Sequence, residues 1–165
     1  MQHSQFKILI SACLLGERVR YDAKVNKLED KLICNWLAQG IVLGICPEVS
    51  GGLTTPRAAA EIQTDLSIKT TTGEDVSQAF MLGAQKTLEA ALAHDIKIAI
   101  LTEKSPSCGS SQRYDGSFSR RLITGEGVTT TLLREHGIKV FNQFQLQQAQ
   151  DYLDNLPETI CTSTA

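Results

Sequence analysis

The sequence predicts a single Rossmann-like α/β domain, with a mostly parallel sheet flanked by helices. Two observations carry this. Short continuous apolar runs rich in Ile, Leu and Val recur along the chain, as expected of strands buried on both faces. Segments of helical periodicity separate them, and strands alternating with helices need crossover connections, which give a parallel sheet. At 165 residues the chain can bury one proper core and is short for two. The expected domain is 1–165, its core running over about 7–155 between short tails.

The first expected strand is Lys7 to Ala12, "KILISA". Asn26 as N-cap, with Glu29 three residues on, opens a helix whose stripe is Leu28, Leu32 and Trp36 and whose stop is Gly40. Ile41 to Ile45 gives the second strand. The stretch 61–73 breaks the alternation, because Glu61 to Lys69 followed by Thr-Thr-Thr-Gly reads as a small hairpin excursion. Asp75 with Gln78 opens a second helix through Val76, Phe80, Leu88 and Leu92 to about His94. Lys97 to Leu101 is a third strand. Thr129 to Glu135, closed by Gly137, is a third helix; Ile138 to Phe141 is a weaker strand, and Gln143 to Leu153 a last helix.

Composition narrows the function. A formal net charge of −2 and a pI near 5.9 provide no basic face for gripping a nucleic-acid backbone. Ile10-Ser11-Ala12-Cys13 imitates a lipoprotein cleavage box, but the apolar stretch before it is only Ile8 to Ile10, against an h-region of roughly 7 to 15 residues. With no spanning segment either, the expected location is the cytoplasm, and no membrane partner is expected. Five cysteines without regular spacing argue against structural disulfides.

Three of those cysteines occupy equivalent places. "KILISAC" ends at Cys13, "IVLGIC" at Cys46, and "IKIAIL" runs into the loop "SPSCGSS" that holds Cys108. Each follows the carboxyl end of an expected parallel strand, where separate loops of an open α/β sheet converge on a ligand. Taken singly, each is an ordinary buried thiol; taken together, in Gly-, Pro- and Ser-rich loops with free backbone N–H groups, they suit a charged cofactor. Structural zinc normally takes four N/S ligands, and no His lies in these motifs: His3 is in the leading tail, while His94 and His136 close helices. Soft thiolates also select iron–sulfur clusters; three ligands on a four-iron cluster leave one iron open as a Lewis acid. Cys34, off the apolar stripe of its helix, and Cys161, in the C-terminal tail, are not expected to be ligands.

The motifs "SACLLG…VRYD", "CPEVSGGLTTPR…EI", "GEDVSQAF…GA", "KSPSCGS", "YDGSF" and "GEGVTT" resemble those of the thiouracil desulfidase (TudS-like) family, domain of unknown function 523, over about Lys7 to Val140. The resemblance implies a [4Fe-4S] cluster bound by Cys13, Cys46 and Cys108, with one open iron that receives the sulfur of a thiolated pyrimidine. The implied reaction is hydrolysis of the C=S bond to the oxo-pyrimidine and sulfide. Glu48 and Ser105 match family residues that serve catalysis, Glu48 activating water or shuttling protons. Many relatives carry cysteine where this chain has Val19, and glycine where it has Ala23.

Bland readings stand beside these. Glu48 could accept backbone hydrogen bonds in the "PEVSGG" turn, and Ser105 is also an ordinary turn residue before proline. Arg57 could grip a phosphate, but the favoured reading is a salt bridge to Glu61 one helical turn on. Gly51 and Gly52 permit a turn. Tyr114-Asp115-Gly116 reads as a turn, with Tyr114 available to stack on a flat ring, and Arg20 and Tyr21 are equally ambiguous. Two other function classes compete: a thiol-redox protein centred on Cys108, although the chain has no C-x-x-C partner, and a non-catalytic metal-binding module. The substrate expected from the resemblance is thiouracil or a thiouridine nucleotide rather than a large nucleic acid.

Overall fold

The structure, a computed structural model, describes residues 5–157. In chain order the elements are β1 (Ile8–Ser11), a 3-10 turn (Ala12–Leu15), α1 (Lys31–Ala38), β2 (Val42–Ile45), α2 (Pro47–Ser50), β3 (Ala60–Ile62), β4 (Ile68–Thr70) and α3 (Ser77–Ala93). Then follow β5 (Ile98–Leu101), β6 (Gln112–Tyr114), β7 (Leu122–Thr124), α4 (Val128–Glu135), β8 (Lys139–Asn142) and α5 (Leu146–Asp154). Strands β1, β2, β5 and β8 form one all-parallel sheet in the order β2-β1-β5-β8.

Why the strands read as unbroken apolar runs is visible in the packing. Ile8 and Ile10 of β1, with Ile98 and Ile100 of β5, pack on one face against Ile33 and Trp36 of α1 and Leu146 and Ala149 of α5. Leu9, Ala99 and Leu101 point to the other face, against Leu88 and Ala91 of α3 and Leu133 of α4. Successive side chains alternate between faces, and both faces are covered, so neither can be polar. Trp36, 1% exposed, satisfies its indole N–H by donating to Gln150 Oε1 at 2.7 Å.

Two expectations move. The first helix starts at Asp30, whose Oδ1 accepts from Leu32 N at 2.7 Å, not at Asn26. Residues 24–30 instead run without regular structure beside the 3-10 turn, held by Leu28 N donating to Leu14 O at 2.8 Å. The last helix begins at Leu146 rather than Gln143, because Asn142 Oδ1 accepts from Phe144 N at 2.9 Å and turns the chain first. The 61–73 excursion is the antiparallel hairpin β3–β4, which seats Ile62 and Ile68 on Phe80 and Val76.

Two elements gave no periodic signal: the one-turn helix α2 and the hairpin β6–β7. Helix α2 is fixed by backbone contact with α3. A Cβ on Gly83 would stand 1.9 Å from the Pro47 carbonyl oxygen, and one on Gly51 would stand 2.0 Å from that of Ala79. Only two glycines allow so close an approach. No helix of the described residues is long and apolar enough to cross a membrane.

Gly83→Ala is therefore expected to destabilise the fold by about 1 to 3 kcal/mol, read as a lower urea midpoint at unchanged slope. Wild-type stability would mean that α2 and α3 part freely.

Candidate active site

The strand order places a topological switch point between β1 and β5: the chain leaves β1 for β2 on one side, then crosses to β5 on the other. Ser11 Oγ accepts from Thr102 N at 3.0 Å across that gap. Beyond it opens a cavity of about 920 Å³. Cys13, Cys46 and Cys108 all line it, as do Glu48 and Ser105. The structure thus brings five expected site residues to one place. Cys34 is exposed on α1 and faces a shallow groove beside Glu29 and Asp30. Cys161 and His3 lie outside the described residues. His94 packs edge-on against Phe6 with ring centroids 5.0 Å apart, and His136 Nδ1 lies 2.9 Å from Leu132 O; neither lines the cavity.

Each thiol arrives by a different local device. Cys13 sits in the 3-10 turn that ends β1, and Cys46 is the N-cap of α2, with the amides of Glu48 and Val49 facing its sulfur. Cys108 lies in a loop held against the start of α4: Thr130 Oγ1 donates to Cys108 O at 2.9 Å, Gly127 N to Gly109 O at 2.8 Å, and Thr129 N to Ser107 O at 2.9 Å. A Cβ on Gly127 would stand 2.3 Å from Ser107 O, so this seat also needs a glycine.

Burial sets the protonation of the three sulfurs. It pushes the Cys13 thiol up to about 11, helped by nearby Cys46, against weaker opposition from Thr102 and Arg20. Burial likewise raises Cys46 and, with Cys13 and Glu48 adding to it, Cys108. A redox nucleophile needs a depressed thiol; all three move the other way. Thiolate is the form that ligates, so a soft cationic group bound here would have to displace these protons. Among the described residues no three of His, Cys, Asp and Glu converge tightly enough to hold one metal ion. Three soft sulfur donors, from three separate loops, on one cavity of about 920 Å³ are the donor chemistry that an iron–sulfur group takes.

Glu48 and Arg57 form the charged wall, with side chains 15% and 10% exposed. Arg57 Nε donates to Glu48 Oε2 at 2.9 Å and its Nη2 donates to the same oxygen. The rest of the guanidinium donates to Val19 O at 3.0 Å, Thr54 O at 3.0 Å and Thr55 Oγ1 at 3.1 Å. Ser105 Oγ–H reaches the other carboxylate oxygen, Oε1, at 3.3 Å. This corrects the expected Arg57–Glu61 pair. Residues 57–61 are not helical, and Glu61, 8% exposed, instead accepts from Gly116 N at 2.9 Å and Phe118 N at 3.0 Å, pinning the β6–β7 turn.

Arg20, Tyr21 and Tyr114 line the same cavity, as do Phe118 and Arg120, which sequence reasoning missed. Arg20 is committed to Asp22 through two contacts of 3.1 Å. Glu103 was missed as well: it ends no apolar stripe, and its only signal was a carboxylate opening a serine-rich loop.

A model of the 2-thiouracil desulfurase family matches residues 8–145. The chain belongs to this family. The protein YbbK of Bacillus subtilis (strain 168), described as uncharacterized, is 40% identical over 154 residues, covering 84% of this chain and 97% of its own. A solved structure described as a [4Fe-4S]-dependent thiouracil desulfidase, TudS, superimposes with a TM-score of 0.89 at 44% identity, covering 92% of this chain and 99% of its own. The family frame gives the two departures a physical reading. Val19 contributes its carbonyl to Arg57, which any residue supplies. Ala23 has φ 55°, the left-handed region where glycine is at ease.

Arg57→Leu strands the half-hidden Glu48 charge and is expected to cost about 3 kcal/mol, with the loss shrinking when Glu48→Gln is added. Additive losses in that double-mutant cycle would separate the two residues. Ala23→Gly should raise the unfolding free energy by up to about 1 kcal/mol, measured in urea.

Proposed function

We propose that Cys13, Cys46 and Cys108 hold a [4Fe-4S] cluster and that Glu48 and Ser105 serve a hydrolytic desulfuration beside it. The protein is a desulfidase of its family, acting on a small thiolated pyrimidine. The observation that carries the residue assignment is the meeting of three thiols, Cys13 and Cys108 buried and Cys46 half-buried, and a serine-bound carboxylate on one cavity at the switch point of the sheet.

When bound with one iron free of protein ligands, such a cluster supplies a Lewis-acid position for the thione sulfur without net redox change. The reaction balances as a thione and water giving a carbonyl and hydrogen sulfide. The chain's own residues then have two tasks. Glu48 takes a proton from the attacking water at Oε1, the oxygen that Arg57 leaves free, and returns it to the departing sulfur. Arg57 fixes Oε2 and so aims Oε1; Ser105 Oγ–H marks where the water or its proton is held. Acid–base help of this kind is worth typically about 100- to 10,000-fold.

The reading further holds that residues 1–165 act as one domain in the cytoplasm, where free thiols persist. The substrate is thiouracil or a thiouridine nucleotide rather than a large nucleic acid, for which the net charge of −2 gives no support.

Anaerobic reconstitution should give brown protein with iron and sulfide in equal amounts. Cys13→Ala, Cys46→Ala and Cys108→Ala should each lose the colour and sulfide release from 2-thiouracil, while Cys34→Ala keeps both. Loss of the cluster in Cys34→Ala overturns the ligand choice. Glu48→Gln should keep the colour and lose at least about 100-fold in turnover; normal turnover removes Glu48 from the mechanism.

A further inference from the structure

The loop that carries Cys108 folds around a carboxylate. Glu103 stands two residues beyond β5 and lines the cavity. Its Oε1 accepts from Ser110 N at 2.8 Å, Ser111 N at 3.1 Å, Gln112 N at 3.1 Å and Lys104 N at 3.3 Å. Its Oε2 accepts from Asn142 Nδ2 at 2.8 Å, Ser111 Oγ at 2.9 Å and Ser110 Oγ at 3.0 Å. Seven donors from both ends of one loop and from β8 therefore meet a single side chain, and none of them is a cation. Burial works against the charge, yet the donors from Ser110, Ser111 and Gln112 outweigh it and hold the carboxyl down at about 2. The donors thus favour the carboxylate form of Glu103.

We infer that Glu103 is a positioning residue for the cluster: its carboxylate closes the loop 103–112 and so fixes where Cys108 presents its sulfur. This rests on the assignment of Cys108 as a ligand. The other side of the loop is anchored on α4 through Cys108 O, Ser107 O and Gly109 O, so the thiol is clamped between a helix start and an anion nest. Neither clamp touches the sulfur. Their joint effect is to remove the loop's freedom before the cluster arrives, which is how groups behind a metal ligand raise affinity.

Glu103→Gln keeps shape and one acceptor oxygen, but sets an amide donor against the Asn142 amide donor. Adding Asn142→Asp reverses that polarity and restores the contact, while its second oxygen can still accept from Phe144 N as Asn142 Oδ1 does. In anaerobically reconstituted protein, E103Q is expected to release iron to a chelator about 10- to 100-fold faster than wild type, and E103Q/N142D to recover most of that loss. Ser111→Ala, an exposed change that removes one hydroxyl donor, should release iron about 2- to 5-fold faster and guards against an unfolded E103Q. Unchanged release in E103Q or, should that variant not fold, in S111A overturns the inference. So does a lower unfolding midpoint of apo E103Q with unaltered release, which marks a structural role alone. If wild type itself takes up no cluster, or Cys108→Ala holds iron as well as wild type, the ligand assignment fails instead and takes this inference with it.

Discussion

The parallel pairing of β1 with β5 is the constraint on which the rest depends. Ile8, Leu9 and Ile10 sit opposite Ile98, Ala99 and Ile100, and with β2 on the far side of β1 every carboxyl end opens on the same rim. Because the chain reverses its direction of travel across the sheet there, the loops after β1 and β5 part and leave a crevice. Cys13, Cys46 and Cys108 are 33 and 62 positions apart in the numbering, and only this register brings their loops to one cavity. A slip of one residue would turn the apolar side chains to the wrong face of the sheet. The site is thus as well defined as the core.

What fills the rim is polar backbone that a core would not tolerate unpaired, and its hydrogen bonds are made locally. The loop after β5 bonds to Glu103 on one side and to the start of α4 on the other, and the turn after β6 bonds to Glu61. Glycine matters at two of these joints for space rather than flexibility. Gly83 lets α2 lie against α3, and Gly127 lets α4 lie against the Cys108 loop. Both contacts place a cysteine-bearing segment by direct backbone touch, which leaves less play than side-chain packing does.

How much of this was legible follows from which forces are periodic. The four sheet strands and the helices α3 and α4 announce themselves because burial on a regular element repeats, and the three thiols could be placed at strand ends for the same reason. Asn26 misled because its capping pattern is local, while Leu28 is held by a backbone bond to Leu14 that no local pattern encodes. Arg57 and Glu61 have ideal helical spacing, yet the segment between them is not a helix, and each finds its partner elsewhere, Arg57 on α2 and Glu61 in the β6–β7 turn. Glu103 was silent for a related reason: its seven donors are mostly backbone N–H groups, which every residue but proline carries.

The same asymmetry bears on Glu48. Were it only a turn-stabilising carboxylate, backbone amides would be its donors, as they are for Glu61 and Glu103. Its donors are side chains instead, Arg57 on Oε2 and Ser105 on Oε1, both cavity-lining. The Arg57 fork binds one oxygen rather than bridging both, although a bidentate grip would be the stronger structural contact. The contact to Ser105 is long at 3.3 Å. A carboxylate held firmly by one oxygen and loosely by the other can be aimed and still exchange a proton, which is what a general base beside a reacting water requires.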